Sequence, residues 1–205
     1  MIIIIIIIII IIILNTNINT NIYPIEIPNF LNNDECNIII NMAKDKYIKS
    51  KVYKGTSIEY DPVRESSHYW IYESNNLLDN ISKNICKLTN TNNNTHEAFQ
   101  VVKYDNNGYY QNHYDACGST TEYCKKMNEK YNNKDRMYTV IIYLNDDFTG
   151  GETVFPNINR VIKPEKGKAL LFKNIDNNGN IITDSLHRGN PVLSGTKIIC
   201  NKWIH

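Results

Sequence analysis

Two stretches in the first half of the chain carry apolar residues at helical spacing. The first follows the cap-like sequence from Asn32 to Glu35 and predicts a helix from Cys36 to Lys46. The second, from Asn75 to Leu88, places five apolar residues on one face, namely Leu77, Leu78, Ile81, Ile85 and Leu88. A short strand is predicted before them, within Tyr23 to Pro28. The first half is therefore predicted to contain one short strand and two helices.

From Ala98 onward the pattern changes to short apolar runs separated by turns. These runs predict strands at Phe99 to Tyr104, Tyr109 to Asp115, Arg136 to Leu144, Glu152 to Phe155, Lys168 to Phe172, Ser185 to His187 and Thr196 to Trp203. The polar stretch from Cys117 to Asp135 is long enough to be a functional loop. Helices followed by many short strands indicate an α+β, mainly β fold, a double-stranded β-helix or jelly roll with N-terminal supporting helices.

The first residues form a segment of a different kind. Met1 is followed by an unbroken run of isoleucine to Ile13, which is shorter than the roughly 20 apolar residues of a membrane-spanning helix. A signal anchor, a cleaved targeting peptide and a translated low-complexity repeat all remain open. We therefore divide the chain into residues 1–21, the isoleucine segment; residues 22–97, a strand and helices that support the barrel; and residues 98–205, the jelly-roll core.

Composition excludes some classes of function and partner. The formal net charge is +1 over 205 residues, so no basic footprint for nucleic acid is present. The bias toward Ile, Asn and Lys is typical of an AT-rich genome, such as that of a large DNA virus. The five cysteines include no CxxC pair and do not support a zinc ribbon. Cys117 and Cys124 share one polar segment and either pair or stay as free thiols.

The location of the protein in the cell depends on the isoleucine run. If the run is a signal anchor, we expect membrane association or the lumen of the endoplasmic reticulum. Otherwise we expect the cytoplasm of a host cell.

The residues with the clearest candidate chemistry are His113, Asp115 and His187. On a strand, positions separated by one residue point to the same side, so His113 and Asp115 can share a metal ion with a distant histidine. Two imidazoles and one carboxylate on one face of an octahedral ion are typical of non-haem Fe(II) oxygenases. His-x-Asp alone is weak evidence, and its value depends on its surroundings.

Those surroundings resemble a known family over the whole stretch from about Ala98 to the last residue. The matching segments are Phe99 to Tyr104, His113 to Asp115, Tyr143 to Asp146, Gly150 to Pro156, Lys163 to Gly167, Ser185 to His187, Pro191 to Leu193 and Asn201 to His205. In this order they resemble the 2-oxoglutarate- and Fe(II)-dependent prolyl 4-hydroxylases, the group of the collagen-modifying enzymes and their plant, algal and viral relatives.

The resemblance implies a role for each residue that it covers. It assigns iron to His113, Asp115 and His187, and it assigns 2-oxoglutarate to Lys197, Tyr104 and Thr153. A buried lysine is chemically suited to the distal carboxylate of that cosubstrate. The peptide groove is assigned to Tyr110, Arg136, Trp203 and His205.

The implied activity is that of a procollagen-proline 4-dioxygenase-like oxidoreductase. Such an enzyme converts peptidyl proline in a proline-rich or collagen-like peptide to 4-hydroxyproline, while 2-oxoglutarate is decarboxylated to succinate. Fe(II), O2, 2-oxoglutarate and ascorbate are the implied cofactors and cosubstrates. Two alternatives stay open at this point. One is a 2-oxoglutarate oxygenase for a lysyl, small-molecule or nucleobase substrate, and the other is a non-catalytic jelly-roll binding module.

Overall fold

Both predicted helices are present, and each begins directly after an asparagine that caps it. The computed structural model describes residues 24–54, 57–118 and 122–205. Helix α1 (Asn33–Ala43) follows Asn32, whose side chain accepts a hydrogen bond from the N–H of Glu35 while the Glu35 carboxylate accepts one from the N–H of Asn32. Helix α2 (Asn76–Thr89) follows Asn75, which caps the N–H of Leu78 in the same way. The polar cap residues thus determine where each helix starts.

Most of the other regular secondary structure in the described residues is β-strand. In chain order they are β1 (Ile25–Ile27), β2 (Ile48–Lys49), β3 (Val52–Lys54), β4 (Ser57–Glu59), β5 (Arg64–Glu65), β6 (Ser67–Ile71), β7 (Phe99–Tyr104), β8 (Tyr109–His113), β9 (Tyr138–Tyr143), β10 (Thr149–Gly150), β11 (Thr153–Phe155), β12 (Arg160–Ile162), β13 (Ala169–Lys173), β14 (His187–Gly189), β15 (Val192–Ser194) and β16 (Lys197–Ile204). A third, short helix, α3 (Glu122–Glu129), lies between β8 and β9.

Two antiparallel sheets carry the fold. The larger sheet has seven strands in the order β1-β13-β9-β16-β7-β6-β2, and the smaller has five in the order β12-β11-β14-β8-β5. Apart from β11 and β12, strands that are neighbours in these two sheets are far apart in sequence, as in a jelly roll. The predicted fold class, mainly β with supporting helices, is therefore confirmed. Strands from before residue 98, such as β6 and β5, extend both sheets.

The larger sheet is buried on both faces, and strand alternation separates two cores. One core lies between this sheet and the helices and contains Val140, Ile142 and Leu144 of the β9 segment together with Ile39 and Ile85 of the helices. The other lies between the two sheets and contains the alternate residues of the same strands, including Ile141, Tyr143, Leu170 and Phe172. Because side chains alternate, one strand supplies both cores.

Some predicted elements differ from the observed ones. The strand predicted as Tyr109 to Asp115 ends at His113, so Asp115 lies in a bend after β8 and not on the strand itself. The stretch predicted as a loop from Cys117 to Asp135 contains α3. Helix α1 ends at Ala43, before the predicted Lys46. The strands from β2 to β6 were not predicted. Strands β2 to β5 have only two or three residues each, which is too short for a clear alternation.

Two further predictions concern the cysteines and the N-terminus. Cys117 and Cys124 form a disulfide, so the first of the two open alternatives is confirmed. The bond ties the segment after Asp115 to α3. The isoleucine segment lies outside the described residues. No helix in the described part of the chain is long and apolar enough to cross a bilayer.

Gly167 and Gly179 allow the energetic cost of steric overlap to be separated from the cost of a left-handed backbone. Both have a left-handed backbone, with φ of +81° and +83°. A Cβ at residue 167 would lie 2.1 Å from the Leu31 carbonyl oxygen, whereas a Cβ at residue 179 would meet nothing within 4 Å. We expect Gly179→Ala to lower the free energy of unfolding by about 1 to 2 kcal/mol. Gly167→Ala should lower the free energy of unfolding by about a further 1 to 3 kcal/mol, because the added methyl group overpacks against the Leu31 carbonyl. Denaturant unfolding of both variants measures the difference, and equal losses would contradict the packing argument.

Candidate metal centre

Two strands of the smaller sheet bring the predicted metal ligands together. His113 at the end of β8 and His187 at the start of β14 are direct partners across an antiparallel pair, and their rings lie 4.2 Å apart. Asp115 completes the group, with 3.8 Å from its Oδ1 to His113 Nε2 and 3.8 Å from its Oδ2 to His187 Nε2. One ligand atom from each residue lies within 4.8 Å of the others. These three donors therefore lie at the corners of one small triangle.

Hydrogen bonds orient each donor toward the centre of that triangle. Nδ1 of His113 lies 2.8 Å from the Gln111 carbonyl, and Nδ1 of His187 lies 2.9 Å from the Ser185 carbonyl. A carbonyl only accepts, so Nδ1 carries the proton in both rings and the Nε2 lone pairs are free for a metal. The hydroxyl of Thr139 donates to Asp115 Oδ2 at 2.7 Å and holds the carboxylate in place.

The protonation states also fit a divalent metal. Burial lowers the pKa of His113 to about 3, so its ring is neutral at pH 7. Burial alone would raise the pKa of Asp115, but His187, His113 and Arg136 outweigh it and lower that pKa to about 2. Two imidazoles and one carboxylate are a donor set suited to Fe(II). The residues present thus fit the iron that the sequence predicts.

A buried cation lies next to this triangle, on the larger sheet. Lys197 at the start of β16 is only 3% exposed, and its Nζ donates to the Gly151 carbonyl at 2.6 Å. No carboxylate of the described residues lies within ion-pair distance of it, and burial lowers its pKa to about 8. Tyr104, its cross-strand partner, lies with its ring 5.3 Å from Nζ. Such an unpaired cation favours an anionic ligand.

The cavity around these groups has an inner and an outer part. The inner part, about 40 Å³, is lined by the metal triad together with Tyr104, Thr153 and Lys197. The hydroxyl of Thr153 accepts a hydrogen bond from Tyr143 at 2.8 Å, so it contributes to this wall. All six residues that the sequence assigned to iron and 2-oxoglutarate therefore share one cavity.

The outer part is a groove of about 850 Å³ that opens beside His113 and Asp115, which line both parts. Three of the four predicted peptide contacts line it. Tyr110 stacks on the His113 ring at 3.6 Å, and the Arg136 guanidinium lies 4.0 Å from the centre of the Trp203 ring. Aromatic faces of this kind suit an extended peptide. Tyr110, Arg136 and Trp203 thus lie where a bound peptide could contact them, and their role in peptide binding remains a prediction.

The fourth predicted peptide contact, His205, does not line the groove. It is buried and stacks on Tyr131 at 3.8 Å, while its Nδ1 lies 2.7 Å from the Lys134 carbonyl. Its Nε2 lies 3.0 Å from Glu97, which holds Arg136 through two hydrogen bonds of 2.6 and 3.0 Å. In this structure His205 reaches the groove only through Glu97 and Arg136, so it positions Arg136.

Several site residues were missed by sequence reasoning. Arg64, Gln100 and Asn201 line the inner cavity, and Thr139 and Glu97 support the residues around it. Gln100 Oε1, Asn201 Oδ1 and Trp203 Nε1 are buried without a hydrogen-bond partner among the described residues. A polar residue at an inward position of an otherwise apolar strand was the available signal for Gln100 and Asn201. Thr139 and Glu97 gave no such signal.

Thr139→Val should weaken metal binding. The change removes the hydroxyl that orients Asp115 and that accepts from Asn174 at 2.8 Å, and loss of such a partner typically costs about 10- to 100-fold in metal affinity. Anaerobic calorimetric titration with Fe(II) measures the effect. Thr139→Ser keeps the hydroxyl and should bind like the parent protein. Unchanged affinity in the valine variant would contradict the role of Thr139.

Glu97→Gln should reduce stability in a way that depends on pH. Burial by itself would raise the pKa of Glu97, but Arg136 and His205 outweigh it and hold that pKa at about 2, below the ordinary 4.5. The stabilisation is therefore complete above about pH 5 and is lost as pH falls through the folded pKa. We expect a loss of about 3 kcal/mol at pH 7.

The difference between the parent and Glu97→Gln should shrink as the pH is lowered from 5 toward 2. Denaturant unfolding at each pH measures it, with exposed Glu129→Gln as the control. A difference that stays constant over this range would show that the Glu97 charge is not its source.

Comparisons with known proteins agree with this site. A profile of the 2OG-Fe(II) oxygenase superfamily matches residues 99–205. A protein of Acanthamoeba polyphaga mimivirus that carries the name prolyl 4-hydroxylase is 38% identical, covering 88% of this chain and 73% of the relative. Prolyl 4-hydroxylase 5 of Arabidopsis thaliana is 33% identical, covering 86% of this chain and 66% of the relative.

A solved structure gives the same result. The 2OG complex of the viral collagen prolyl hydroxylase from Paramecium bursaria Chlorella virus-1 aligns with a TM-score of 0.70 and 30% identity. The alignment covers 90% of this chain and 96% of that one. Fold, site and relatives thus agree, and the chain belongs to the 2-oxoglutarate- and Fe(II)-dependent oxygenase superfamily and, within it, to the prolyl 4-hydroxylases.

Proposed function

We propose that this chain hydroxylates C4 of peptidyl proline, with O2 and 2-oxoglutarate as cosubstrates and succinate and CO2 as co-products. The observation that carries the proposal is the adjacency of three groups in one cavity. These are the triangle of His113, Asp115 and His187, the unpaired buried cation of Lys197, and a groove with aromatic walls. A metal, a dicarboxylate and an extended peptide could therefore meet at one point.

The protein groups have separate tasks in this reaction. Bound Fe(II) supplies the oxygen chemistry that couples decarboxylation of 2-oxoglutarate to oxygenation of the substrate. His113, Asp115 and His187 would hold this ion. Lys197 binds the distal carboxylate of 2-oxoglutarate by a charge-assisted hydrogen bond.

The remaining site residues act on the carboxylate and on the peptide. The Tyr104 hydroxyl and Thr153 complete the polar wall around the 2-oxoglutarate carboxylate. Tyr110 and Trp203 contact the target proline, and Arg136, held by Glu97 and His205, donates to a peptide carbonyl. A proline-rich or collagen-like peptide fits such a groove because polyproline II leaves its carbonyls without internal partners.

Ascorbate and membrane association belong to the proposal as well. Ascorbate would restore Fe(II) after turnovers in which no substrate is oxidised. The isoleucine segment would attach the protein to a membrane or direct it to the endoplasmic reticulum if it acts as a signal anchor. Without that role the enzyme would act in the host cytoplasm.

The direct test incubates the purified chain with Fe(II), 2-oxoglutarate, ascorbate and a panel of proline-rich and collagen-like peptides. Mass spectrometry then follows the gain of one oxygen atom, and succinate is measured in parallel. Oxygen on C4 of proline with one succinate for each hydroxylation supports the proposal. Oxygen on another residue type would show that proline is not the target and would identify the residue that is. Absence of 2-oxoglutarate turnover with every peptide would contradict an oxygenase activity.

Lys197→Met should raise KM for 2-oxoglutarate by about 10- to 100-fold, since a hydrogen bond to a charged group contributes about 1.5 to 3 kcal/mol. The metal triad does not include Lys197, so Fe(II) affinity should stay near the parent value. Steady-state kinetics with varied 2-oxoglutarate and a separate Fe(II) titration measure both quantities.

Lys202→Met is the matched control for that experiment. Lys202 lies on the same strand and is also buried, and its pKa is also lowered by burial to about 8. It points to the opposite face of β16, where its Nζ lies 3.9 Å from the Phe99 ring. Its removal should leave KM for 2-oxoglutarate unchanged. A similar KM in both variants would contradict the assignment of Lys197.

A further inference from the structure

The rim of the outer groove exposes an unusual share of the apolar surface. Eight large apolar side chains are exposed in the described part of the chain, and four of them line this groove: Ile48, Ile58, Tyr60 and Tyr114, which are between 37% and 63% exposed. Clustered exposed apolar side chains mark a binding surface more often than scattered ones do. The groove wall is therefore built to contact a macromolecule along its length.

The charged side chains that line the same groove are almost all cationic. Lys49, Lys51, Arg64 and Arg136 carry the positive charge, and Asp115, a predicted iron ligand, is the one carboxylate that lines it among the described residues. The whole chain has a formal net charge of only +1. The positive groove therefore does not reflect a basic protein and is a local feature.

Two of the four cations are compensated nearby. Lys49 pairs with Glu65 at 3.1 Å, and Arg136 pairs with Glu97 at 2.6 Å. Lys51 and Arg64 have no carboxylate partner in the described part of the structure. Lys51 Nζ lies 5.0 Å from the centre of the Tyr60 ring. The Arg64 guanidinium lies 4.7 Å from the Tyr110 ring, and its Nε donates to the Ser66 hydroxyl at 2.8 Å.

These two cations lie at different depths. Arg64 lines both the inner cavity and the groove, next to Tyr110, which stacks on the iron ligand His113. Lys51 is exposed and lines the groove but not the inner cavity. A peptide that places its proline at the metal centre therefore passes Arg64 first and Lys51 farther out. Both cations lie over a tyrosine ring, at cation–π distance.

We infer that the groove selects acidic peptides, with Asp or Glu close to the target proline, through Arg64 and Lys51. The inference rests on the proposed function and specifies its substrate class. Charges on a groove rim act mainly on encounter and binding, so the preference should appear in KM and in its salt dependence, with kcat nearly unchanged.

The test uses three peptides of equal length with one central proline and flanking residues that are Glu, Gln or Lys. We expect kcat/KM to fall in that order, with the Glu peptide about tenfold above the Lys peptide at low salt and less at 0.5 M NaCl, where charges are screened. Lys51→Glu should reduce or invert the preference. Lys83→Glu, at an exposed position on α2 outside the groove, is the matched control and should leave it unchanged.

Peptide binding is measured separately by fluorescence anisotropy without cosubstrate, so that the inference is tested even if no proline is hydroxylated. Tighter binding of the Glu peptide, lost in Lys51→Glu but kept in Lys83→Glu, supports the inference. Equal binding of the three peptides, or the same preference in Lys51→Glu, overturns it. A single-stranded oligonucleotide that displaces the Glu peptide at a lower concentration would also overturn it, because the groove would then favour phosphate.

Discussion

The register between β8 and β14 is the constraint on which the metal centre depends. His113 and His187 are far apart in sequence and meet because these strands pair directly opposite each other at that position. A slip of one residue would turn one imidazole to the other face of the sheet and leave no shared site. Packing against Phe155 and Phe172, whose rings lie 5.6 and 4.8 Å from the His187 ring, holds this register from the side of the core.

Charge in this molecule is arranged in layers. The innermost groups are a carboxylate with a low pKa and two imidazoles, at least one of which burial keeps neutral. Next comes the isolated ammonium of Lys197, and then the paired guanidinium of Arg136. Lys197 donates to a backbone carbonyl, Arg136 donates to the Glu97 carboxylate, and Asp115 accepts from the Thr139 hydroxyl. Such preorganisation means that ligands do not have to reorient the site when they bind.

Secondary-structure elements and site residues with strong local signals could be predicted from the sequence. Strand β7 has the predicted ends because an apolar run is bounded by the turn from Asp105 to Gly108, and α1 begins within the predicted cap-like sequence from Asn32 to Glu35. Helix α2 begins at Asn76, one residue after its predicted start. The metal triad and Lys197 lie together as predicted. Asp115 reaches the triad from a bend after the strand, so the expected convergence was right although the expected strand position was wrong.

The rest of the structure depends on tertiary contacts that leave no local pattern. Strands β2 to β5 are two or three residues long and exist because longer neighbours pair with them or because they close a hairpin. Helix α3 has few apolar residues, and the disulfide ties it to the segment after Asp115. Whether His205 faces the groove or the Glu97 carboxylate is decided by Tyr131 and Lys134, which are distant in sequence.

The division of the inner cavity between two sheets has a thermodynamic consequence. Two metal ligands, His113 and His187, belong to the smaller sheet, whereas Lys197 and Tyr104 belong to the larger one. A dicarboxylate held as we propose, by the metal at one end and by Lys197 at the other, would join the sheets across their shared core. Its affinity is then coupled to folding, since a ligand that binds only the folded chain stabilises it by about 2.7 kcal/mol at 100 times its Kd. The concentration of this dicarboxylate in the cell would thereby influence the fraction of the enzyme that is folded.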